Sequence, residues 1–241
     1  QCNKFGIRNP LIVTDNGSTK LPFINELKEL LLKANIKSDL FSEISPNPRE
    51  DEISAGCKKY KDGNHDSIIA IGGGSAMDGG KLICLTANND IPLRDFEFEL
   101  TPPKISKDNP FPKIITIPTT AGTGAETEIT AMVTYLKEGM KFCMWHPDVR
   151  PVLALVDPEL TLGLPSSLTA WTGVDAMVHA IEGYCVPGFH PLCDGSALES
   201  LSLISKSLYL AVEEPKNLIA RGGMHIGSYL GGIAFLKGLG N

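Results

Sequence analysis

The sequence lacks long apolar runs and carries little basic charge. No apolar run reaches the roughly 18 residues that a membrane-spanning helix requires, and the first ten residues, Gln1 to Pro10, do not form a signal peptide. The 28 acidic residues outnumber the 22 basic ones, which gives a net charge of −6 at pH 7. The densest cationic cluster, residues 58–61, is typical of a solvated helix face. We therefore expect a cytoplasmic protein that binds neither membranes nor nucleic acid.

The sequence also has no Cys-x-x-Cys pair, although it contains six cysteines. They are scattered through otherwise ordinary segments: Cys2, Cys57, Cys84, Cys143, Cys185 and Cys193. This distribution favours reduced structural thiols over disulfides or a thiolate metal site. A hydrophobic content of 42% and a charged content of 21% are those of a globular protein with one large domain or two modest ones.

A glycine-rich segment at residues 67–81, SIIAIGGGSAMDGGK, is the most informative part of the chain. The apolar run Ile68–Ile71 is typical of a strand that is buried on both faces in a parallel sheet. Gly72, Gly73 and Gly74 allow another group to approach the backbone closely, and Ser75 is placed to cap a helix that continues to Asn88. A strand, a glycine turn and a helix N-terminus together suit a phosphate or pyrophosphate. The alternative is a tight strand-to-helix connection without a ligand.

Strands and helices alternate through the first part of the chain. Strands are predicted at residues 11–14, 40–44 and 68–71, and helices at 21–35, 49–60 and 75–88. This alternation predicts a doubly wound parallel sheet, in which ligands bind at the carboxyl ends of the strands. Asp15 follows the first strand, where a carboxylate would accept hydrogen bonds from a ribose diol and repel a 2′-phosphate. The alternative, which the local sequence favours, is a plain turn aspartate, since Asn16 and Gly17 follow it.

The second part of the chain begins with a proline-rich surface excursion at residues 90–113. A strand at 114–117 leads into a segment rich in threonine and glycine, residues 118–126, which is suited either to hydrogen bonding with an anionic or sugar-containing ligand or to a simple turn. Further strands are predicted at 129–136, 142–145 and 152–156, and long helices at 168–184, 192–212 and 218–236. We therefore predict an α/β domain over residues 1–157 and the start of an all-helical domain over 158–241.

A carboxylate and an imidazole are separated by four residues in the first long helix. Asp175 and His179 therefore lie on one helical face, with Cβ atoms about 5–6 Å apart. Such a pair can share a divalent cation, although an ordinary hydrogen bond between the two side chains is the alternative. The neighbouring residues are mostly apolar, so an unpaired carboxylate among them is expected to be costly.

Four motifs, in this order and spacing, resemble the iron-containing (group III) alcohol dehydrogenases across essentially the whole chain. They are Val13-Thr14-Asp15, the segment from Gly72 through Ser75, Asp78 and Lys81, the segment 118–126, and the segment from Thr172 through Asp175, His179 and Glu182. The resemblance implies a Rossmann-like sheet followed by an all-helical domain, an architecture shared with dehydroquinate synthase. It also implies hydride transfer between a small alcohol or aldehyde and NAD, with no side-chain general base identified, in a homo-oligomer that is most often a dimer.

The resemblance also implies particular site residues. The residues that match the dinucleotide site are Asp15, Asn47, Gly73, Gly74, Ser75, Asp78, Thr119, Thr120, Thr123, Thr130 and Lys141. Asp15 matches the position at which NAD-preferring members of the family carry an aspartate. Asp175 and His179 match the first two ligands of a divalent metal, Fe²⁺ by the family's name and Zn²⁺ as the alternative.

The sequence departs from the family pattern in one respect that concerns the metal. Family members carry two further histidine ligands downstream of a Gly-Leu-Gly that resembles residues 238–240, and this sequence ends at residue 241. The remaining histidines match no ligand and are predicted to be turn, strand-end or helix-surface residues: His65, His146, His190 and His225. We expect an internal piece of a longer protein. The alternatives are a glycerol dehydrogenase-like zinc enzyme, a dehydroquinate synthase-like lyase, and a non-catalytic nucleotide-binding or assembly protein.

Overall fold

The computed structural model describes residues 1–239, which form two compact units. One unit contains residues 1–117 and 129–154, and is called the sheet unit here. The other contains residues 118–128 together with the chain from residue 155 onward, and is called the helical unit. The segment 118–128, which the sequence analysis places in the α/β domain, thus packs with the helices.

The sheet unit alternates strands and helices in its first half. Its strands are β1 (Pro10–Asp15), β2 (Asp39–Ile44), β3 (Ser67–Gly72), β4 (Lys113–Pro118), β5 (Thr130–Tyr135), β6 (Met140–Trp145) and β7 (Leu153–Ala154), and its helices are α1 (Pro22–Lys33), α2 (Glu50–Asp62) and α3 (Gly74–Ala87). Five strands form one sheet in the order β2-β1-β3-β4-β7. The pairs β1–β2, β1–β3 and β4–β7 are parallel, which confirms the predicted doubly wound sheet.

The centre of the sheet is β3, in which all six residues are buried. Its isoleucines are almost fully removed from water, and each contributes roughly 1.5–3 kcal/mol of transfer free energy. Helix α3 packs closely on this region because two of its glycines face the sheet. A Cβ on Gly79 would lie 2.7 Å from Ile44 Cδ1, and one on Gly80 would lie 2.7 Å from Ala70 Cβ. The second glycine pair of the 67–81 segment therefore sets the distance between helix and sheet.

Three of the later strands differ from the simplest expectation. Strands β5 and β6 form a separate antiparallel hairpin, in which Thr130 pairs with Trp145 and Thr134 with Lys141. Strand β7 is only two residues long, shorter than the predicted 152–156, since it pairs only with Ile115 and Thr116 of β4.

The excursion 90–113 is anchored by Phe96, which is fully buried against Phe111 and His146.

The helical unit contains three long helices, α4 (Ser166–Cys185), α5 (Pro191–Glu213) and α6 (Leu218–Leu239). Small residues of α6 let the other two helices approach closely. A Cβ on Gly227 would lie 2.7 Å from Ile204 Cγ1 in α5, and one on Gly231 would lie 3.0 Å from the carbonyl oxygen of Ala176 in α4. The three predicted helices are confirmed, with ends shifted by a few residues.

Two further expectations concern the cysteines and the membrane. All six cysteines lie within the described residues, and none of them forms a disulfide. Over the same residues, no helix combines the length and the apolar character that crossing a bilayer requires.

Candidate functional site

The carboxyl ends of β1 and β3 meet at the point where the strand order reverses. Asp15 ends β1 and Gly72 ends β3. Gly72 has a φ of +145°, and a Cβ at this position would lie 2.8 Å from Asp15 Oδ2. Only glycine fits both the conformation and the contact. In doubly wound sheets this reversal opens the crevice in which ligands bind, so the structure brings the predicted ribose and phosphate groups together there.

The glycine loop continues directly into helix α3, with one correction to the sequence analysis. The helix begins at Gly74 with Gly73 as its N-cap residue, so Ser75 is not the cap. The Ser75 hydroxyl instead donates a 2.6 Å hydrogen bond to the carbonyl oxygen of Pro46, beyond the end of β2. A cap without a side chain leaves room at the first helical N–H groups, where the helix dipole favours an anion.

Two residues predicted to meet the adenosine lie beside this loop. The Asp15 carboxylate accepts hydrogen bonds from the Ser18 amide and the Ser18 hydroxyl, both at 2.8 Å, so it organises the turn. A carboxylate has about four acceptor positions, which makes a ribose contact compatible with that turn. Asn47 is exposed, and its carbonyl oxygen accepts a hydrogen bond from the Ser45 hydroxyl at 3.2 Å.

Lys81 and Asp78 of the glycine-rich motif tie helix α3 to the β5–β6 hairpin. Lys81 is fully buried, and its ammonium group donates a 2.5 Å hydrogen bond to the carbonyl oxygen of Thr130. The same ammonium group lies 3.6 Å from Asp78 Oδ1, while Asp78 Oδ2 accepts from the Met132 amide at 3.2 Å. These contacts give Asp78 and Thr130 a structural role. Lys141 is exposed on β6, opposite Thr134.

The threonine loop, residues 118–128, is fixed to helices of its own unit by two glycines. A Cβ on Gly122 would lie 2.7 Å from Thr172 Cβ in α4. Gly124 has a φ of +65°, and a Cβ there would lie 2.7 Å from Gly232 Cα in α6. The predicted ligand-binding threonines of this loop are buried (Thr119) or half-buried (Thr120 and Thr123). Close backbone contact therefore holds the loop in one place.

The metal candidates lie on one face of α4, as predicted. Asp175 Oδ1 and His179 Nε2 are 3.8 Å apart, and the Nδ1 atom of His179 is buried without a hydrogen-bond partner among the described residues. The expected cost of an unpaired carboxylate does not arise, because the Asp175 side chain is 45% exposed and the neighbouring Val178 and Ile181 are 42% and 45% exposed. The carboxylate is therefore hydrated and does not need a cation to offset burial.

The fit of this pair to a divalent metal is partial. A catalytic site for a first-row metal needs about three protein ligands and an open position. The described residues contain no group of three or more His, Cys, Asp or Glu side chains that could hold a metal ion. Asp175 and His179 thus supply two donors, and the third position is not filled by residues 1–239. The Gly-Leu-Gly segment that precedes the family's further ligands extends beyond the described residues.

The other histidines occupy varied positions, and one prediction about them is wrong. His190 caps helix α5 by accepting from the Cys193 amide at 3.3 Å, and His146 follows β6 and accepts from the Asp148 amide at 3.1 Å. The sequence predicts His225 on a helix surface, but it is completely buried in α6. Glycines surround it in sequence, so the local pattern contains no polar face from which its burial could be read.

A cavity of about 610 Å³ lies in the sheet unit beside helix α2. None of the predicted site residues lines it. One of the cationic side chains that line it, the Arg94 guanidinium, lies 3.5 Å from the centre of the Phe142 ring and 3.0 Å from Glu97 Oε2. These contacts account for how Arg94 is held and give no indication of a cofactor site.

A doubly wound sheet with a glycine loop at its reversal point, in one chain with a helical unit that carries an Asp/His pair, defines an α/β protein of the doubly wound class. The family model described as iron-containing alcohol dehydrogenase matches residues 1–158, and the model for the C-terminal part of the Fe-containing alcohol dehydrogenase family matches residues 169–238. The chain belongs to the iron-containing alcohol dehydrogenase family.

Named relatives of this chain are dehydrogenases. Alcohol dehydrogenase 4 of Schizosaccharomyces pombe is 38% identical over 235 residues, which cover 98% of this chain and 54% of that protein. The NAD-dependent methanol dehydrogenase of Bacillus methanolicus is 33% identical over 235 residues, covering 98% of this chain and 60% of that protein. The chain thus spans little more than half the length of these relatives.

Solved structures show the same fold. A 1,3-propanediol oxidoreductase matches with a TM-score of 0.92 and 32% identity, over 97% of this chain and 60% of that one. A sulfoacetaldehyde reductase from Bifidobacterium kashiwanohense, solved in complex with NAD⁺, matches with a TM-score of 0.86 and 32% identity over the same shares of the two chains.

Proposed function

We propose that this protein acts as an NAD-dependent, metal-assisted alcohol dehydrogenase, which transfers hydride between a small alcohol and NAD or reduces the corresponding aldehyde or ketone. The observation that carries the proposal is the contact of Asp15 with the glycine loop at the sheet's reversal point, in a chain of this family. The NAD⁺ complex of the related sulfoacetaldehyde reductase supports the choice of cofactor.

The residues of the sheet unit are proposed to bind the adenosine half of NAD. The Asp15 carboxylate accepts hydrogen bonds from the ribose hydroxyls, and Asn47 borders the adenosine. The backbone N–H groups at Gly73, Gly74 and Ser75 donate to the pyrophosphate, where the N-terminal end of the α3 dipole stabilises its charge. Tying Ser75 to Pro46 keeps this loop in the geometry that the pyrophosphate requires.

The remaining predicted residues are proposed to hold the pyrophosphate and nicotinamide side of the cofactor. They are Thr119, Thr120, Thr123 and Thr130, with Lys141 reaching the ribose and Asp78 lying beside the dinucleotide next to the glycine loop. Hydroxyl groups suit this role because each can donate and accept a hydrogen bond without carrying charge. Orienting the nicotinamide in this way fixes the face from which hydride is transferred.

Asp175 and His179 are proposed as two of the metal ligands. A divalent metal held there would supply Lewis acidity to the substrate oxygen. The family description supports iron, and zinc, as in a glycerol dehydrogenase-like enzyme, is the alternative. The second candidate function is a nucleotide-binding protein without catalytic activity. It is favoured because the described residues provide only two metal donors. Three expectations from the sequence stay predictions. They are the alternative activity of a dehydroquinate synthase-like lyase, the assembly into a homodimer and the cytoplasmic location.

Cofactor binding is tested by calorimetric titration of the purified chain with NAD and, separately, with NADP. We expect a micromolar to millimolar dissociation constant for NAD and weaker binding of NADP, since the Asp15 carboxylate repels the 2′-phosphate. Failure to bind either dinucleotide would overturn the proposed function. Equal affinity for both would overturn only the role of Asp15.

Metal binding is tested by measuring bound Fe²⁺ and Zn²⁺ after anaerobic reconstitution and desalting. Asp175→Asn and His179→Gln should each reduce the bound metal, while the control Glu199→Gln, at an exposed position of α5, should not. Unchanged metal content in both variants would show that the ligands lie elsewhere. Activity in an alcohol oxidation assay distinguishes the dehydrogenase from the non-catalytic nucleotide-binding protein.

A further inference from the structure

Three buried polar residues form a row along one face of helix α6. Arg221, His225 and Ser228 are spaced by four and then three residues, which places them one above another on the helix. Their exposed fractions are 2%, 0% and 1%. Polar side chains are rarely buried to this degree unless they serve a structural or functional purpose.

The contacts of this row distinguish Arg221 from His225. Arg221 Nε donates to the carbonyl oxygen of Pro215 at 3.1 Å, and its Nη1 donates to Thr169 Oγ1 at 2.8 Å, so this guanidinium braces the helix ends. Neither ring nitrogen of His225 has a well-aligned hydrogen bond within the described part of the chain. The backbone of Thr120 nevertheless lies close enough to the ring to favour its protonated form, as a carbonyl oxygen that faces a ring N–H does.

The threonine loop lies directly on this face of α6. A Cβ on Gly124 would lie 2.7 Å from Gly232 Cα and 3.2 Å from the carbonyl oxygen of Ser228, and one on Gly232 would lie 2.8 Å from the carbonyl oxygen of Gly124. The loop and helix backbones are therefore in contact one to two turns beyond His225. The imidazole occupies the adjoining position, next to Thr120.

The protonation state of the ring matters for its role. Burial lowers the pKa of His225 to about 4, which leaves the imidazole neutral at pH 7. A neutral imidazole has one N–H donor and one acceptor nitrogen. It therefore places a donor next to Thr120 without adding a second buried charge beside Arg221.

We propose that His225 is a positioning residue for the threonine loop: its buried imidazole sets where Thr119, Thr120 and Thr123 present their hydroxyl groups to the nicotinamide half of NAD. The inference rests on the proposed function, which assigns these threonines to the cofactor. Gly122 and Gly124 fix only the middle of the loop. The Thr120 backbone, which lies near the imidazole, belongs to its beginning.

The test separates the two halves of the cofactor. His225→Leu fills similar volume but removes the donor, while His225→Gln keeps an N–H donor; Ser228→Ala is the control on the same face of α6. Each chain is titrated by calorimetry with NAD and with AMP. His225→Leu should bind NAD about tenfold more weakly and AMP as tightly as the unmodified chain, whereas His225→Gln and Ser228→Ala should stay within about threefold for both.

Several results would overturn the inference. Unchanged NAD affinity in His225→Leu would show that the imidazole does not position the loop. Equal losses for NAD and AMP, or equal losses in the leucine and glutamine variants, would indicate a purely structural effect. If the unmodified chain binds AMP but not NAD, the proposed function fails instead.

A measurement on the unmodified chain covers the case in which His225→Leu does not fold. With ¹⁵N-labelled histidine, the ring signals of His225 should shift when NAD is added and stay in place when AMP is added. Identical responses to NAD and AMP would contradict the inference.

Discussion

The buried His225 should make the protein less stable as the pH falls from about 6.5 to about 4. Burial lowers the pKa of His225 from its ordinary 6.5 to about 4, while the Thr120 backbone and the Asp157 carboxylate act in the opposite direction. Between these pH values the unfolded chain binds a proton that the folded chain does not, so acid favours unfolding. The full effect is roughly 3 kcal/mol, a large part of the 5–15 kcal/mol typical of a folded domain. The stability that the neutral His225 contributes is thus fully present above about pH 6.5 and is lost as the pH falls toward 4.

The perturbation is His225→Leu, which removes the titrating group and keeps its volume. Urea unfolding is followed by circular dichroism at pH 7 and at pH 4.5. The unmodified chain should lose about 2 kcal/mol more than His225→Leu between these two pH values. Ser228→Ala retains the imidazole and should behave like the unmodified chain. Burial also lowers the pKa of Arg221, the other cationic side chain in this row, but a guanidinium stays protonated throughout this pH range. Equal losses in the unmodified chain and in His225→Leu would refute the reasoning.

Three further predictions concern the sheet unit. Asp15→Gly should reduce the preference for NAD over NADP, because it removes the carboxylate that repels the 2′-phosphate; an unchanged ratio of dissociation constants would contradict the ribose role. Gly74→Val should weaken NAD binding more than tenfold, or by more than about 1.4 kcal/mol, since a branched Cβ then stands where pyrophosphate approaches the backbone. An unchanged dissociation constant for NAD in calorimetry would show that the loop is only a turn. Lys81→Met should lower the free energy of unfolding by about 3 kcal/mol, because the Thr130 carbonyl and the Asp78 carboxylate lose their buried cation. A loss below about 1 kcal/mol in urea unfolding would show that these contacts contribute little to stability.

The order of strands and helices follows from the sequence because the relevant signals are local. Strands β1 and β3 are short, β-branched apolar runs that only a buried parallel sheet accommodates, and they lie within one residue of the predicted positions. The long helices α4 and α5 have helical spacing over five or more turns, which leaves little ambiguity. The glycine loop is predictable for the same reason, since three consecutive glycines between a strand and a helix are typical of a tight turn with an accessible backbone.

Other features depend on contacts between distant parts of the chain. No local signal indicates that Ser75 reaches Pro46 instead of capping α3, because a hydroxyl at a helix start is suited to either role. Lys81 is a charged residue in a helix and would ordinarily be exposed, yet the β5–β6 hairpin covers it and supplies the Thr130 carbonyl as its partner. The spacing of apolar residues within α3 cannot predict that a distant hairpin covers Lys81.

The sequence by itself determined the parallel sheet, the glycine loop at its reversal point and the i,i+4 spacing of Asp175 and His179, since each is a property of a short segment. Only the tertiary structure decided that the threonine loop packs on α4 and α6, that His225 is fully buried, and that the Asp175 carboxylate is open to water. These features depend on which helices approach closely. That approach is set by pairs of small residues far apart in the chain, such as Gly124 and Gly232.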